Sequence, residues 1–318
     1  MQIRVAVIGA GVMGKNHARV LSSLGHLSGV VDADYEVAKK VAKRYNVSAY
    51  RNVEDADFDA AIIATPTVTH YQLAREIIER GKHVLVEKPF THSIEEAQEL
   101  IDLARDMGVV LAVGHIERFN PIVEFFKKMK KEKELITIGA KRVSGFPTRI
   151  RDVGVIMDLA VHDIDVFRYL VGEIVEVYAR GGRIKNENYE DHASLLFTFE
   201  DGKSGYLETN WLTPKKIRKL WLTFTDCYAE GDYIGQWVEI SSSKLMYDEF
   251  NVYDIGVDLN IRRINLKRDE PLRRELVNFI DAIKSREKPL VTGEDGLAAV
   301  KIAQAAMESL NRGKVTEI

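Results

Sequence analysis

The stretch that most constrains this chain is Gly9-Ala10-Gly11-Val12-Met13-Gly14, which directly follows the apolar run Ile3 to Ile8. A buried strand, a glycine turn and a helix start must succeed one another within a few residues. Gly9 permits the tight turn, Gly11 lets the backbone approach a pyrophosphate, and Gly14 lets the helix pack closely on the strand. A diphosphate would then lie at the helix N-terminus, where unpaired N–H groups and the helix dipole favour negative charge. A ligand-free glycine turn is the plainer alternative for such a string, so the surroundings decide. A second strand-like run, Leu27 to Val31, ends in Asp32, about 20 residues beyond the glycines, where a carboxylate meets the ribose hydroxyls of a dinucleotide. A carboxylate there opposes a 2′-phosphate as a like charge, so NAD is expected in preference to NADP. Lys39, Lys40 and Arg51 remain possible phosphate partners, and Asp34 is as well placed as Asp32 to cap the helix beginning near Tyr35.

With 318 residues the chain exceeds a single comfortable core, so two domains are expected. No apolar run approaches the roughly 18 residues of a membrane span, and the N-terminus enters a strand without a charged leader. The single cysteine, Cys227, rules out an internal disulfide framework and suits a reducing, cytoplasmic setting. A net charge of −3 offers no general attraction to nucleic acid. The basic cluster Lys127 to Lys131 is followed at once by Glu132 and Glu134, as in a solvated helix face.

Up to about residue 115, short apolar runs alternate with amphipathic periods, the pattern of a parallel sheet covered on both faces. The runs are 3–8, 29–31, 60–64, 83–86 and 109–113. Ser93 is the expected N-cap of a helix over 94–107. Beyond residue 120 the pattern turns to period-two strands: Ala193, Leu195, Phe197 and Phe199 form one face, Glu200 to Lys203 a hairpin turn, and Ser204 to Trp211 the return. Further strands are expected over 219–225, 236–241 and 244–247, with helices over 272–284 and 296–310.

Ligands bind beyond the carboxyl ends of strands in an open parallel sheet, which singles out Ala64-Thr65-Pro66-Thr67 with nearby His70, Glu87-Lys88-Pro89, and Gly114-His115. Lys88, held extended by the following proline, is the foremost candidate. Further on, 154–165 reads as a helix that stacks Asp158 and His162 at i and i+4. Asp158, His162, Asp163 and Asp165 lack a partnering His or Cys cluster at metal-ligand spacing, so no metal is expected. A structural His162 bonded to Asp158 is the plainer alternative.

With these residues assembled, the chain resembles the Gfo/Idh/MocA family of sugar and cyclitol dehydrogenases over essentially its full length. The resemblance implies an α/β protein with an N-terminal Rossmann doubly wound parallel sheet over 1–120. A C-terminal α/β domain over 121–318 would carry a large open, mostly antiparallel sheet, with the C-terminal helix able to pack back on the first domain. It also implies a homodimer or homotetramer formed through the open sheet, where Trp221 and Trp237 are candidate contacts. On the cofactor side it points to Gly9, Ala10, Gly11, Val12, Met13, Gly14, Asp32, Ala64, Thr65, Pro66, His70, Glu87 and Lys88.

Catalysis falls to Lys88, Asp158 and His162, which match the family's Glu-Lys-Pro lysine and its Asp-xxx-His pair. The segments 114–121 and 146–154 look like those of members that oxidise UDP-N-acetylated hexoses. UDP-N-acetylglucosamine, oxidised at its 3-hydroxyl, is the expected substrate. Its uronate, inositol or a free sugar are alternatives, and a cofactor-sensing regulator of the same fold is a non-enzymatic one. Phe119, Asn120, Arg149 and Arg151 are expected to join Lys88, Asp158 and His162 in holding the substrate. Arg142 is a further phosphate clamp and Tyr169 a further stacking ring. Free histidine, at about 6.5, accepts a proton near neutrality, whereas lysine at about 10.4 needs a shift of about three units. His162 is therefore expected as general base and Lys88 as the charged donor on the alcohol, with the roles exchanged if burial lowers the lysine that far.

Overall fold

The computed structural model describes residues 2–147, 153–246 and 256–318. Contacts divide the chain into two compact units, one of residues up to Ile116 together with Glu270–Lys301, the other of Glu117–Asp269 together with Ile302–Ile318.

The first unit alternates strands and helices: β1 (Val5–Ile8), α1 (Val12–Leu24), β2 (Leu27–Val31), α2 (Tyr35–Tyr45), β3 (Ser48–Tyr50), β4 (Ala60–Ile63), α3 (His70–Glu79), β5 (His83–Glu87), α4 (Ile94–Asp106) and β6 (Leu111–Gly114). Among the described residues these six strands form one parallel sheet in the order β3-β2-β1-β4-β5-β6. The order reverses beside β1, which puts a ligand crevice at the end of that strand. β1 and β4 are buried along their whole length, as strands covered on both faces must be. The expected caps form: Asp34 accepts from the amides of Glu36 and Val37, and Ser93 and Glu96 close a reciprocal capping box on α4.

In the second unit α5 (Pro121–Glu132), β7 (Leu135–Val143), α6 (Val161–Leu170), β8 (Ile174–Gly182), β9 (His192–Phe199), β10 (Ser204–Asn210), β11 (Ile217–Phe224), β12 (Tyr228–Asp232), β13 (Trp237–Met246) and β14 (Gly256–Asn265) follow. After α7 (Pro271–Ser285) and α8 (Gly293–Arg312), β15 (Thr316–Glu317) closes the chain. Nine described strands form a sheet in the order β14-β13-β12-β11-β7-β10-β9-β8-β15, antiparallel except between β7 and β10. The two strands expected over 236–241 and 244–247 are one continuous strand, β13, paired along its length with β14.

On β11 the alternation is clear: Leu220, Leu222 and Phe224 are buried, while Trp221 points outward, its indole N–H donating to the Tyr206 hydroxyl (2.6 Å). The outward face also carries the exposed side chains of Ile136, Leu196, Tyr206, Leu259 and Ile261. Among the described residues no helix is long and apolar enough to cross a membrane.

The expected second domain over 121–318 needs correction, because α7 belongs to the first unit. Its stripe Leu272, Leu276, Phe279, Ile280 and Ile283 enters one apolar cluster with Val5, Val7, Leu21 and Ala18. The period of 3.6 identifies the buried face of such a helix but not the sheet it covers.

Three largely buried ion pairs, built on two arginines, lie inside the second unit. Arg118 meets Asp165 through two bonds, Nε to Oδ2 at 2.8 Å and Nη2 to Oδ1 at 2.6 Å, with both side chains almost wholly buried. Arg142 grips Asp163 through Nε and Nη2 and reaches Glu117 through Nη1 (2.9 Å). Removing one partner of such a pair strands a charge where water cannot reach it. Replacing Arg118 by alanine is expected to cost about 3–5 kcal/mol, read as a lowered midpoint in urea unfolding.

Candidate active site

The three glycines of the opening turn do different work. Gly9 takes a left-handed φ of +91°, and a Cβ on it would lie 2.7 Å from the Ala64 carbonyl oxygen. A Cβ on Gly14 would stand 1.7 Å from the Gly9 carbonyl oxygen, so both are required by protein packing alone. Around Gly11 a Cβ would meet nothing within 4 Å. The open space suits an approaching diphosphate, which would take the N-terminal amides of α1: Gly11 is its N-cap, with no side-chain cap and no acidic residue in the first turn.

Asp32 follows β2, and its carboxylate accepts the amides of Ala10 (2.7 Å) and Asp34 (2.9 Å), one on each oxygen. A carboxylate oxygen has a second lone pair, so the group that orders the glycine turn can also accept ribose hydroxyls. Arg51 donates to the Ala33 carbonyl (3.1 Å) in the same neighbourhood. The residues present therefore fit a dinucleotide.

Two residues expected on the cofactor side have their polar atoms turned to the fold. His70 is almost wholly buried, with Nε2 at 3.0 Å from the Thr65 carbonyl and Nδ1 at 2.9 Å from that of Pro89. Burial pulls its pKa below the usual imidazole value. It stands between the loop after β4 and the loop after β5, and in its neutral form its single N–H donates to one of these two carbonyls. Glu87 is also turned inward: its Oε1 lies 2.7 Å from Nε2 of the fully buried His17, and its Oε2 accepts the Lys88 amide (3.2 Å). Burial alone would raise the Glu87 carboxyl, but His17 and Lys88 outweigh it and hold it below its ordinary value. Glu87 thus anchors the backbone from which half-buried Lys88 extends.

Sequence reasoning missed a third group here. Glu275 of α7 is buried, and neither carboxyl oxygen has a hydrogen-bond partner among the described residues. Burial, then the charge of Glu87, raises its pKa well above the ordinary value. His17 and Glu275 both fall on the inward stripes of their helices, and a polar residue on an apolar stripe was the available signal.

In the second unit Asp158 is buried within a π-helical turn, Ile156–Ala160, and His162 is the second residue of α6, half-buried. The expected uniform helix is thus broken by a π turn, a device common at functional sites. Glu190 pins its start: its side chain accepts the Ile156 amide (3.0 Å) and its carbonyl the Val155 amide (2.9 Å). A Cβ on Gly154 would sit 2.1 Å from that carboxylate, so any larger residue there would push the Glu190 side chain off the turn.

Several residues expected at the substrate are packed or bonded within the fold. Phe119 is buried, and Asn120 caps α5 by accepting the Ile122 amide (3.3 Å) while donating to the Tyr233 carbonyl (3.2 Å). Arg142 is engaged by its two carboxylates, and the ring of Tyr169 is faced by Arg118 and Lys127. Arg149 and Arg151 lie outside the described residues.

The family profile described as the GFO/IDH/MocA oxidoreductase family, NAD-binding Rossmann fold, matches residues 3–115, and that of the GFO/IDH/MocA C-terminal domain matches residues 141–230. The UDP-N-acetylglucosamine 3-dehydrogenase of Acidithiobacillus ferrooxidans is 32% identical over 97% of this chain and 96% of its own length. Its crystal structure superposes with a TM-score of 0.89 and 28% identity, covering 98% of both chains. The scyllo-inositol 2-dehydrogenase (NAD(+)) of Bacillus subtilis is 29% identical, covering 100% of this chain and 96% of its own.

Two outcomes follow from the geometry of the first unit. Gly11→Ala should fold with wild-type thermal stability yet lose NAD binding in calorimetric titration, whereas Gly14→Ala should not yield folded protein. Glu275, with its folded pKa raised, holds its proton in the native state and sheds it when unfolded, so it lowers stability as pH rises from about 4.5 through the folded pKa. Glu275→Gln should therefore match the wild type near about pH 4 and grow progressively more stable than it toward about pH 9, followed by thermal unfolding across that range.

Proposed function

This chain belongs to the GFO/IDH/MocA oxidoreductase family, and we propose that its substrate is a UDP-N-acetylhexosamine, UDP-N-acetylglucosamine oxidised to its 3-keto derivative. It is an NAD-dependent dehydrogenase acting on CH–OH groups. The observation that carries the substrate reading is the likeness, along nearly its whole length, to a UDP-N-acetylglucosamine 3-dehydrogenase. A second reading, an inositol dehydrogenase, is favoured by the nearly equal identity to the inositol enzyme.

In the proposed mechanism bound NAD would supply the hydride acceptor for the alcohol carbon. The first-turn amides of α1 would hold its diphosphate, and Asp32 would accept its ribose hydroxyls. His162 takes the hydroxyl proton as general base, with Asp158 orienting the imidazole or a substrate hydroxyl. Lys88, aimed by the Glu87 carboxylate beneath its own amide, donates to the alcohol oxygen and steadies the negative charge that grows there. The carbon loses a hydride and the oxygen a proton, leaving a ketone. We further propose that copies associate through the outward face of the nine-stranded sheet.

Mixing the protein with NAD and UDP-N-acetylglucosamine should raise absorbance at the reduced-nicotinamide band, while myo-inositol should not. Lys88→Met and His162→Ala should each lower kcat by about a hundredfold or more with NAD affinity retained. Near-normal kcat in both variants would remove these residues from the chemistry.

A further inference from the structure

Arg218 occupies a position that folding alone does not call for. On β11 it shares a face with Leu220, Leu222 and Phe224, all buried. The strand register sets it directly opposite Arg142 of β7. Like charges facing each other across a strand pair are destabilising unless something answers them. Arg142 is answered by Asp163 and Glu117. Arg218 is not: its Nη1 is buried and has no hydrogen-bond partner among the described residues. Burial and then the Arg142 cation pull its guanidinium down to about 10, against the attraction of Asp163, Glu117 and Asp158, so it remains a cation at neutral pH. Arg142, its cross-strand neighbour, holds Asp163, the residue after His162, so Arg218 stands one strand away from the arginine bonded to the first turn of α6.

An anionic substrate brought to that turn approaches the carboxylates of Asp158 and Asp163, and it needs a cation whose donors are not already engaged. A guanidinium presents paired N–H groups that match phosphate and carboxylate oxygens. We propose that Arg218 selects for anionic substrates by binding an oxyanion carried beside the reacting sugar ring. The source is either the sugar-side phosphate of a nucleotide sugar or a carboxylate on the ring. The inference rests on the nucleotide-sugar reading above, and a neutral cyclitol offers the guanidinium no such group.

The test compares wild type, R218Q and R218K in steady-state kinetics with UDP-N-acetylglucosamine, UDP-N-acetylglucosaminuronate and myo-inositol, alongside thermal unfolding. R218Q should raise the KM for nucleotide sugars by about ten- to a hundredfold, with the KM for NAD unchanged and R218K recovering part of the loss. Because a like-charge pair is relieved, R218Q should melt no lower than wild type. Equal losses with both nucleotide sugars identify the phosphate as the bound group, and a loss confined to the uronate identifies the ring carboxylate. R218Q with wild-type KM for both sugars overturns the inference, and R218Q that fails to fold does so too, by making Arg218 a structural cation. Wild-type protein that reduces NAD with myo-inositol and with neither nucleotide sugar overturns instead the substrate reading on which the inference rests.

Discussion

Charge buried beyond the reach of water is the constraint on which the second unit depends. Arg142 with Asp163 and Glu117, and Arg118 with Asp165, join α6 to β7 and to the turn before α5. Desolvating such groups costs several kcal/mol per ion, and only forked, two-point contacts recover it. A helix held by such contacts cannot slide or rotate without parting charges in a medium of low dielectric. The rigidity passes to the π turn that leads into α6, and so to Asp158 and His162. Glu190 completes the arrangement from the other end, through the amides of Val155 and Ile156.

Precision in the first unit has a different origin. There it rests on backbone touching backbone: the turn closes because Gly9 and Gly14 carry no Cβ, and Asp32 ties the turn to the end of β2 through the Ala10 amide. His70 then couples the loop after β4 to the loop after β5, and Glu87 draws in the backbone of Lys88. A surface built from main-chain amides tolerates almost no side-chain variation yet presents the same pattern to any dinucleotide, which suits a cofactor. The second unit, built from side-chain charges, can change its selectivity one residue at a time, which suits a substrate.

Much of this was legible in the residues themselves. The glycine spacing, Asp32, the alternating runs and the hairpin at Glu200 to Lys203 each carry a local cause, so the parallel sheet and the return of β9 into β10 follow without knowledge of distant contacts. The residues whose side chains turn inward share one physical reason. A polar residue near a motif looks the same in sequence whether its hydrogen bonds go to a ligand or to the fold, and His70, Glu87, Asn120 and Arg142 all turned to the fold. Phe119 went to the core for the ordinary reason that aromatic area favours burial. What could have been seen was parity. Arg218 shares its strand face with Leu220, and Glu275 its helix face with Leu272 and Phe279, so a period of two in the strand and of 3.6 in the helix places each polar group among apolar ones.

The return of Glu270–Lys301 to the first unit bears on how the polypeptide matures during synthesis. The nucleotide-binding layer emerges from the ribosome early, but α7, whose Leu276 and Phe279 fill the same apolar cluster as Val5 and Val7, arrives only after the whole of Glu117–Asp269. Until then α1 and its neighbours expose a greasy seam that nothing covers, and closing so long an intervening loop carries an entropic toll that local helix formation cannot offset. The nascent chain is therefore least protected just before α7 appears.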